Sequence, residues 1–136
     1  MPIRRTVISA AATLTAAAGL LAVPATAQAQ SRAEVAPLGQ TCGVTASTGS
    51  LSCWNSAPTS VRSSPYATDS WQVDVLRTTW SWFGCYTIGE FHGGGTKTWY
   101  GTVGDDTGQW GFVPASAVST SWAFDLNPGQ YGMKHC

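Results

Sequence analysis

Residues 98–114, Thr98-Trp99-Tyr100-Gly101-Thr102-Val103-Gly104-Asp105-Asp106-Thr107-Gly108-Gln109-Trp110-Gly111-Phe112-Val113-Pro114, read as a β-hairpin. Thr98 to Val103 is dense in β-branched and aromatic residues, which suit a pleated surface. Gly104 to Gly108 forms a tight turn, because glycine takes positive φ without steric cost and aspartate bonds its local backbone. Gln109 to Val113 is the returning strand. Alternation points Val113 at a core and leaves Trp110 and Phe112 together on the opposite face.

The flanking segments have the same texture. Thr79 to Ile88 (TWSWFGCYTI) reads as one strand, with Trp80, Trp82, Tyr86 and Ile88 on one face and Phe83 and Cys85 on the other. Gln72 to Arg77 alternates around Val73 and Val75. Ser60-Val61-Arg62 begins a strand that the Ser64-Pro65 turn ends. His92 to Gly95 is a flexible loop, Pro114 to Val118 can make one helical turn, and the residues after Thr120 read as an irregular tail. No window sustains helical periodicity. Short strands divided by Gly-, Ser-, Pro- and Asp-rich turns imply a small all-β barrel or sandwich.

The N-terminal end has a different composition. Arg4 and Arg5 precede an uncharged, largely apolar run, Val7 to Val23, then Pro24 and the small residues Ala25, Thr26, Ala27 and Ala29. This is the layout of a secretory signal peptide spanning 1–29, cleaved after Ala27 or Ala29, where small side chains fit the peptidase. Paired arginines also admit the twin-arginine export route. Residues 30–40 read as a polar, mobile leader, and 41–136 as one domain. Beyond Ala29 five basic residues face seven acidic ones, a net charge of −2. That balance argues against nucleic-acid binding and against attraction to anionic lipid.

Cys42, Cys53, Cys85 and Cys136 all lie beyond the signal. An even count in an exported chain implies two disulfides. No C-x-x-C pair occurs, so zinc is not expected. Three connectivities are possible, and Cys42–Cys53 with Cys85–Cys136 is favoured, closing one local loop and pinning the tail.

Two segments resemble bacterial SH3 domains. Ser60-Val61-Arg62-Ser63-Ser64-Pro65, followed by a polar loop and Val73 to Leu76, is similar to the family's opening strand, loop and second strand. Trp99-Tyr100-Gly101-Thr102-Val103, followed by Gly108-Gln109-Trp110-Gly111-Phe112-Val113-Pro114-Ala115, is similar to its closing hairpin. The resemblance covers residues 57–120. Ser60 stands where the family usually has Asn, Ser64 where Gly precedes Pro, and Phe112 where Trp is usual. The resemblance implies a small SH3-like barrel, places Trp99 and Val103 on its inward face, and suggests a secreted module that binds peptidoglycan peptides.

All seven tryptophans lie beyond the signal. A domain of this size has too much surface for its volume to bury them all. An indole offers a flat apolar face and one N–H donor, suited to peptides and sugar rings. Tyr66, Trp82, Trp110 and Phe112 are therefore the candidate ligand-binding residues. No catalytic residues, metal ligands or cofactors are expected. Neither G-x-S-x-G nor H-E-x-x-H occurs, paired cysteines leave no thiolate, and Asp105 and Asp106 suit a turn better than facing acid and base roles. The expected partner is peptidoglycan. The alternative is a secreted or surface protein, with the chain acting as an interaction domain or enzyme inhibitor on a disulfide-rigid scaffold.

Overall fold

The computed structural model describes residues 40–66, 68 and 70–136. The signal segment and almost all of the leader lie outside these residues. The strands are β1 (Gly43–Thr45), β2 (Ser50–Trp54), β3 (Thr59–Arg62), β4 (Gln72–Leu76), β5 (Trp80–Phe83), β6 (Cys85–Ile88), β7 (Thr98–Val103) and β8 (Trp110–Pro114). All pairings between them are antiparallel. They form a three-stranded sheet, β1-β2-β5, and a five-stranded sheet, β4-β3-β8-β7-β6. The described domain is all-β, with one short helix, α1 (Trp122–Leu126), and 3-10 turns at Ala115–Ala117 and Pro128–Tyr131.

The segment read as one strand from Thr79 to Ile88 divides at Gly84. β5 pairs with β2, whereas β6 pairs with β7 in the other sheet. The Gly84 N–H bonds the Gly101 carbonyl at 2.8 Å, so the chain crosses between sheets without losing its ladder. The crossing changes the alternation. Phe83 is fully buried in the core, Cys85 lies opposite Gly101, and Tyr86 lies opposite buried Tyr100. Phe83 and Cys85 thus do not share a face, and Tyr86 leaves the face of Trp80 and Trp82.

The core gathers Leu51, Cys53, Val61, Leu76, Phe83, Tyr100, Val113, Ala115, Val118 and Met133 from both sheets and the tail. Complete burial of a side chain such as Phe83 contributes roughly 1.5–3 kcal/mol by area. Both disulfides link the favoured pairs, Cys42–Cys53 and Cys85–Cys136. On the chain-entropy account, their closed loops add roughly 3 and 4 kcal/mol respectively.

The tail is more ordered than its sequence implies. The Ser121 hydroxyl caps α1 by accepting the Phe124 N–H at 3.2 Å, and Met133 is buried in the core. Lys134 N–H then bonds Gly49 O at 2.8 Å, Tyr86 N–H bonds Lys134 O at 3.0 Å, and Cys136 N–H bonds Tyr86 O at 2.8 Å. The last residues run parallel to the free edge of β6 and tie it to the β1–β2 turn. That edge would otherwise present unpaired backbone groups to other chains. A second link is polar: the Tyr100 hydroxyl bonds the Asp125 carboxylate, Thr120 Oγ1 bonds it at 2.6 Å, and Thr98 Oγ1 bonds the Asp125 carbonyl at 2.6 Å. Burial raises the Asp125 pKa despite the bonds from Thr120 and Tyr100, and burial also raises that of Tyr100.

Candidate ligand-binding surface

The β7–β8 register fixes which side chains share a face, because directly paired residues point the same way. Tyr100 pairs with Val113, and both are fully buried. Val103 pairs with Trp110, Gly101 with Phe112 and Trp99 with Pro114. The outer face therefore carries Trp110 and Phe112, as alternation implied. It also carries Trp99 and Val103, which the SH3 resemblance had placed inward. The inward places on β7 belong to Thr98, Tyr100 and Thr102, all buried.

Trp99 is nonetheless covered, at 8% exposure, by loops crossing the outer face. Its Nε1–H bonds the Glu90 carbonyl at 3.0 Å, and its ring meets His92 edge-on at 5.8 Å. His92 lies 2.9 Å through Nε2 from the Thr98 carbonyl, while the Gly94 N–H bonds Nδ1 at 3.2 Å. A carbonyl can only accept, so Nε2 carries the hydrogen in this arrangement. The half-buried His92 thus orders the glycine-rich loop from both ring nitrogens.

Trp82 and Trp110 meet on the exposed face with ring centroids 6.3 Å apart and planes at 63°. They are 49% and 45% exposed. Gly84 and Gly101 form the floor beneath them. A Cβ at Gly101 would lie 2.5 Å from the Trp110 ring, and one at Gly84 would lie 2.7 Å from the Trp82 ring. Only glycine lets the indoles lie this close to the backbone. Phe112, half-buried, is next on the same side of β8, opposite Arg62 of β3. The Arg62 guanidinium is held by the Ser70 hydroxyl at 2.8 Å and the Ser70 carbonyl at 3.1 Å.

Tyr66 stands apart. It is exposed on the β3–β4 loop, and its hydroxyl bonds the Ile88 carbonyl at 3.1 Å. The adjoining Pro65 carbonyl accepts the Glu90 N–H at 2.9 Å, which sets this loop over the Trp99 end of the sheet. The structure thus brings Trp82 and Trp110 together and keeps Phe112 beside them, but no ring contact joins Tyr66 to the group.

A cleft of about 300 Å³ opens on the other side of Trp82. Trp80 and Trp82 of β5 line it together with Val103, Gly104 and Asp105 at the hairpin turn. Trp54 packs edge-on against Trp80 at 4.9 Å and braces that wall. Sequence reading missed Trp80 and Asp105 as site residues. Trp80 shares the strand face of Trp82, which is the signal that could have found it. Asp105 was assigned to turn geometry alone.

The turn is built around carboxylates. Asp74 accepts bonds from the N–H groups of Val75, Asp106, Thr107 and Gln109 and from the Thr107 hydroxyl, at 2.8–3.1 Å. Desolvation alone would raise its pKa, but these bonds, led by Gln109 and Val75, hold it far below the usual carboxylate range. Asp105 Oδ2 accepts from Arg77 N at 2.6 Å, Thr78 N at 2.9 Å and Thr78 Oγ1 at 3.0 Å. Burial opposes ionisation there too, and the Thr78 and Arg77 bonds outweigh it and lower the pKa. The Arg77 hydrogen bond similarly lowers Asp106, with guanidinium–carboxylate distances of 2.6 and 2.7 Å. The adjacent aspartates therefore bond the β4–β5 loop and do not face each other.

Among the described residues every cysteine is paired and no three His, Cys, Asp or Glu residues converge on a metal position. No described helix is long and apolar enough to cross a membrane. The two disulfides mark a protein of an oxidising environment. Set against family models, curated proteins and solved structures, the chain matches none.

Proposed function

We propose that this protein is a secreted, non-catalytic binding module that recognises cell-wall peptidoglycan, or its peptides, through the outer face of the β7–β8 hairpin. The observation that carries the reading is the exposed Trp82–Trp110 pair on its Gly84–Gly101 floor. Burying both rings in the core would have been the default use of such side chains. Here the backbone is thinned to glycine beneath them, so their positions are fixed while their surfaces stay open to a sugar ring or peptide.

The chain path supports an SH3-like barrel. β3, a long loop, β4, the bent β5–β6 segment and the β7–β8 hairpin follow in order. A 3-10 turn then leads to Val118, which bridges Asn55. The export-type N-terminus and the two disulfides agree with action outside the cell.

The test is co-sedimentation of the purified protein with purified peptidoglycan. The protein is retained, and Trp82→Ala and Trp110→Ala each reduce retention while melting cooperatively. Failure of the unaltered protein to sediment, in conditions that retain a known wall binder, overturns the reading. A second reading, a secreted protein-interaction domain or inhibitor, is favoured by one observation. Trp122 and Leu126, one helical turn apart on α1, are both exposed, at 62% and 52%. It predicts co-purification of one secreted protein from culture medium, lost on Trp122→Ala.

A further inference from the structure

The cleft beside Trp82 combines three features that suit one class of ligand group. Its volume, about 300 Å³, is at the small end for ligand sites and fits a single side chain or one sugar ring. Trp80 and Trp82 bound it, and no described residue accepts a hydrogen bond from either indole N–H. Asp105 also lines it; all three bonds to Asp105 fall on Oδ2, and Oδ1 has no partner among the described residues.

The nearby charges leave that oxygen available. Arg77, the cation beside it, is committed to Asp106 through both Nε and Nη2. Asp74 is saturated by backbone N–H groups and the Thr107 hydroxyl. Three carboxylates thus face one guanidinium around this turn, and the excess negative charge borders an aromatic-walled space.

We propose that the cleft binds a primary ammonium group, the ε-amine of a lysine-type side chain on a peptide ligand. The ammonium donates to Asp105 Oδ1, and the Trp80 and Trp82 rings flank its alkyl stem. Ring quadrupoles attract a cation, and the carboxylate supplies a charge-assisted acceptor. The assignment rests on the proposed function only in taking Trp82 as a ligand contact, and it specifies which part of a wall peptide that contact would select.

The test follows the indole N–H resonances by NMR while one of three probes is added: Nα-acetyl-lysine methylamide, its Nε-acetylated counterpart, or N-acetylglucosamine. The cationic probe shifts the Trp80 and Trp82 signals saturably, and the acetylated probe binds about tenfold more weakly. Asp105→Asn removes that discrimination; its amide oxygen can still accept the Arg77 and Thr78 N–H groups. Trp82→Leu, at an exposed ring, weakens the cationic probe with the fold intact. Equal binding of the two lysine probes, no saturable shift, or preference for the sugar overturns the proposal, and the probe comparison needs no variant. Peptidoglycan retention with equal probe binding sinks the cleft assignment alone. Probe discrimination without retention sinks the wall reading alone.

Discussion

The two faces of the β7–β8 hairpin use aromatic residues in opposite ways. Inside, Tyr100 is fully buried against Phe83, ring centroids 5.8 Å apart, and its hydroxyl is tied to Asp125. Outside, Trp110 lies across Gly101 and stays nearly half exposed. Strand propensity treats Tyr100 and Trp110 alike, since both are large aromatics in a pleated segment. The difference lies in what is opposite each. Inside, side chains from two sheets and the tail meet at interior packing density. Outside, loops cover Trp99, and the Trp110 ring rests on the backbone of Gly101 and Gly84. A ring buried in the first way stabilises the fold, and one held in the second way is available to a ligand.

The largest expected effect follows from the inner face. Phe83→Ala should destabilise the protein by roughly 3–5 kcal/mol, because a packed ring is lost and the surroundings relax only in part. Chemical denaturation measures it. A loss comparable to that of an exposed residue would mean that the two faces are not energetically distinct.

Acid should weaken the fold next. Asp74, Asp105 and Asp106 all have lowered folded-state pKa values. Their stabilisation is full above the unfolded carboxylate range, near 4, and is lost as pH falls through the lower folded values. Asp125 has the opposite sign: its raised pKa favours the folded state at low pH and loses that advantage as pH rises through the folded value. The net expectation is a denaturation midpoint that drops below about pH 4. Asp74→Asn should flatten that dependence, since Asp74 anchors the turn. An unchanged pH profile in this variant would remove Asp74 as the main source.

Gly101→Ala should sharpen the comparison with the smallest stability change. The new methyl meets the tip of an exposed ring, with Cys85 Sγ 3.1 Å away. Trp110 can swing outward, so the cost should be about 1 kcal/mol, at the low end for overpacking. Peptidoglycan retention should fall as far as in Trp110→Ala. Retention intact, with Trp110 displaced, would show that the ring's position over glycine is immaterial to binding.

Much of this architecture was legible in the chain. Alternation placed Val113 inside and Trp110 and Phe112 outside, and the Gly104–Gly108 turn joins the strands as read. The pairing of Cys42 with Cys53 and of Cys85 with Cys136 matches the favoured connectivity. Strands β1 and β2 were not singled out, being short and polar except at Val44, Leu51, Cys53 and Trp54. The tail was read as irregular because α1 spans only five residues, too few for local propensity to be decisive. Of the candidate ligand-binding residues, strand phase pointed to Trp82, Trp110 and Phe112, but Tyr66 came from a loop, where no periodicity fixes direction.

The sequence by itself determined the all-β class, the paired cysteines and the surplus of indoles, because each follows from local propensity, covalent chemistry or surface-to-volume limits. Only the tertiary structure decided that the Thr79–Ile88 segment changes sheets at Gly84, that Trp99 faces outward and is buried all the same, and that Asp105 lines one cleft with Trp80 and Trp82. Those outcomes depend on cross-strand register and on loops brought together from distant positions, and neither is encoded in the period of any single segment.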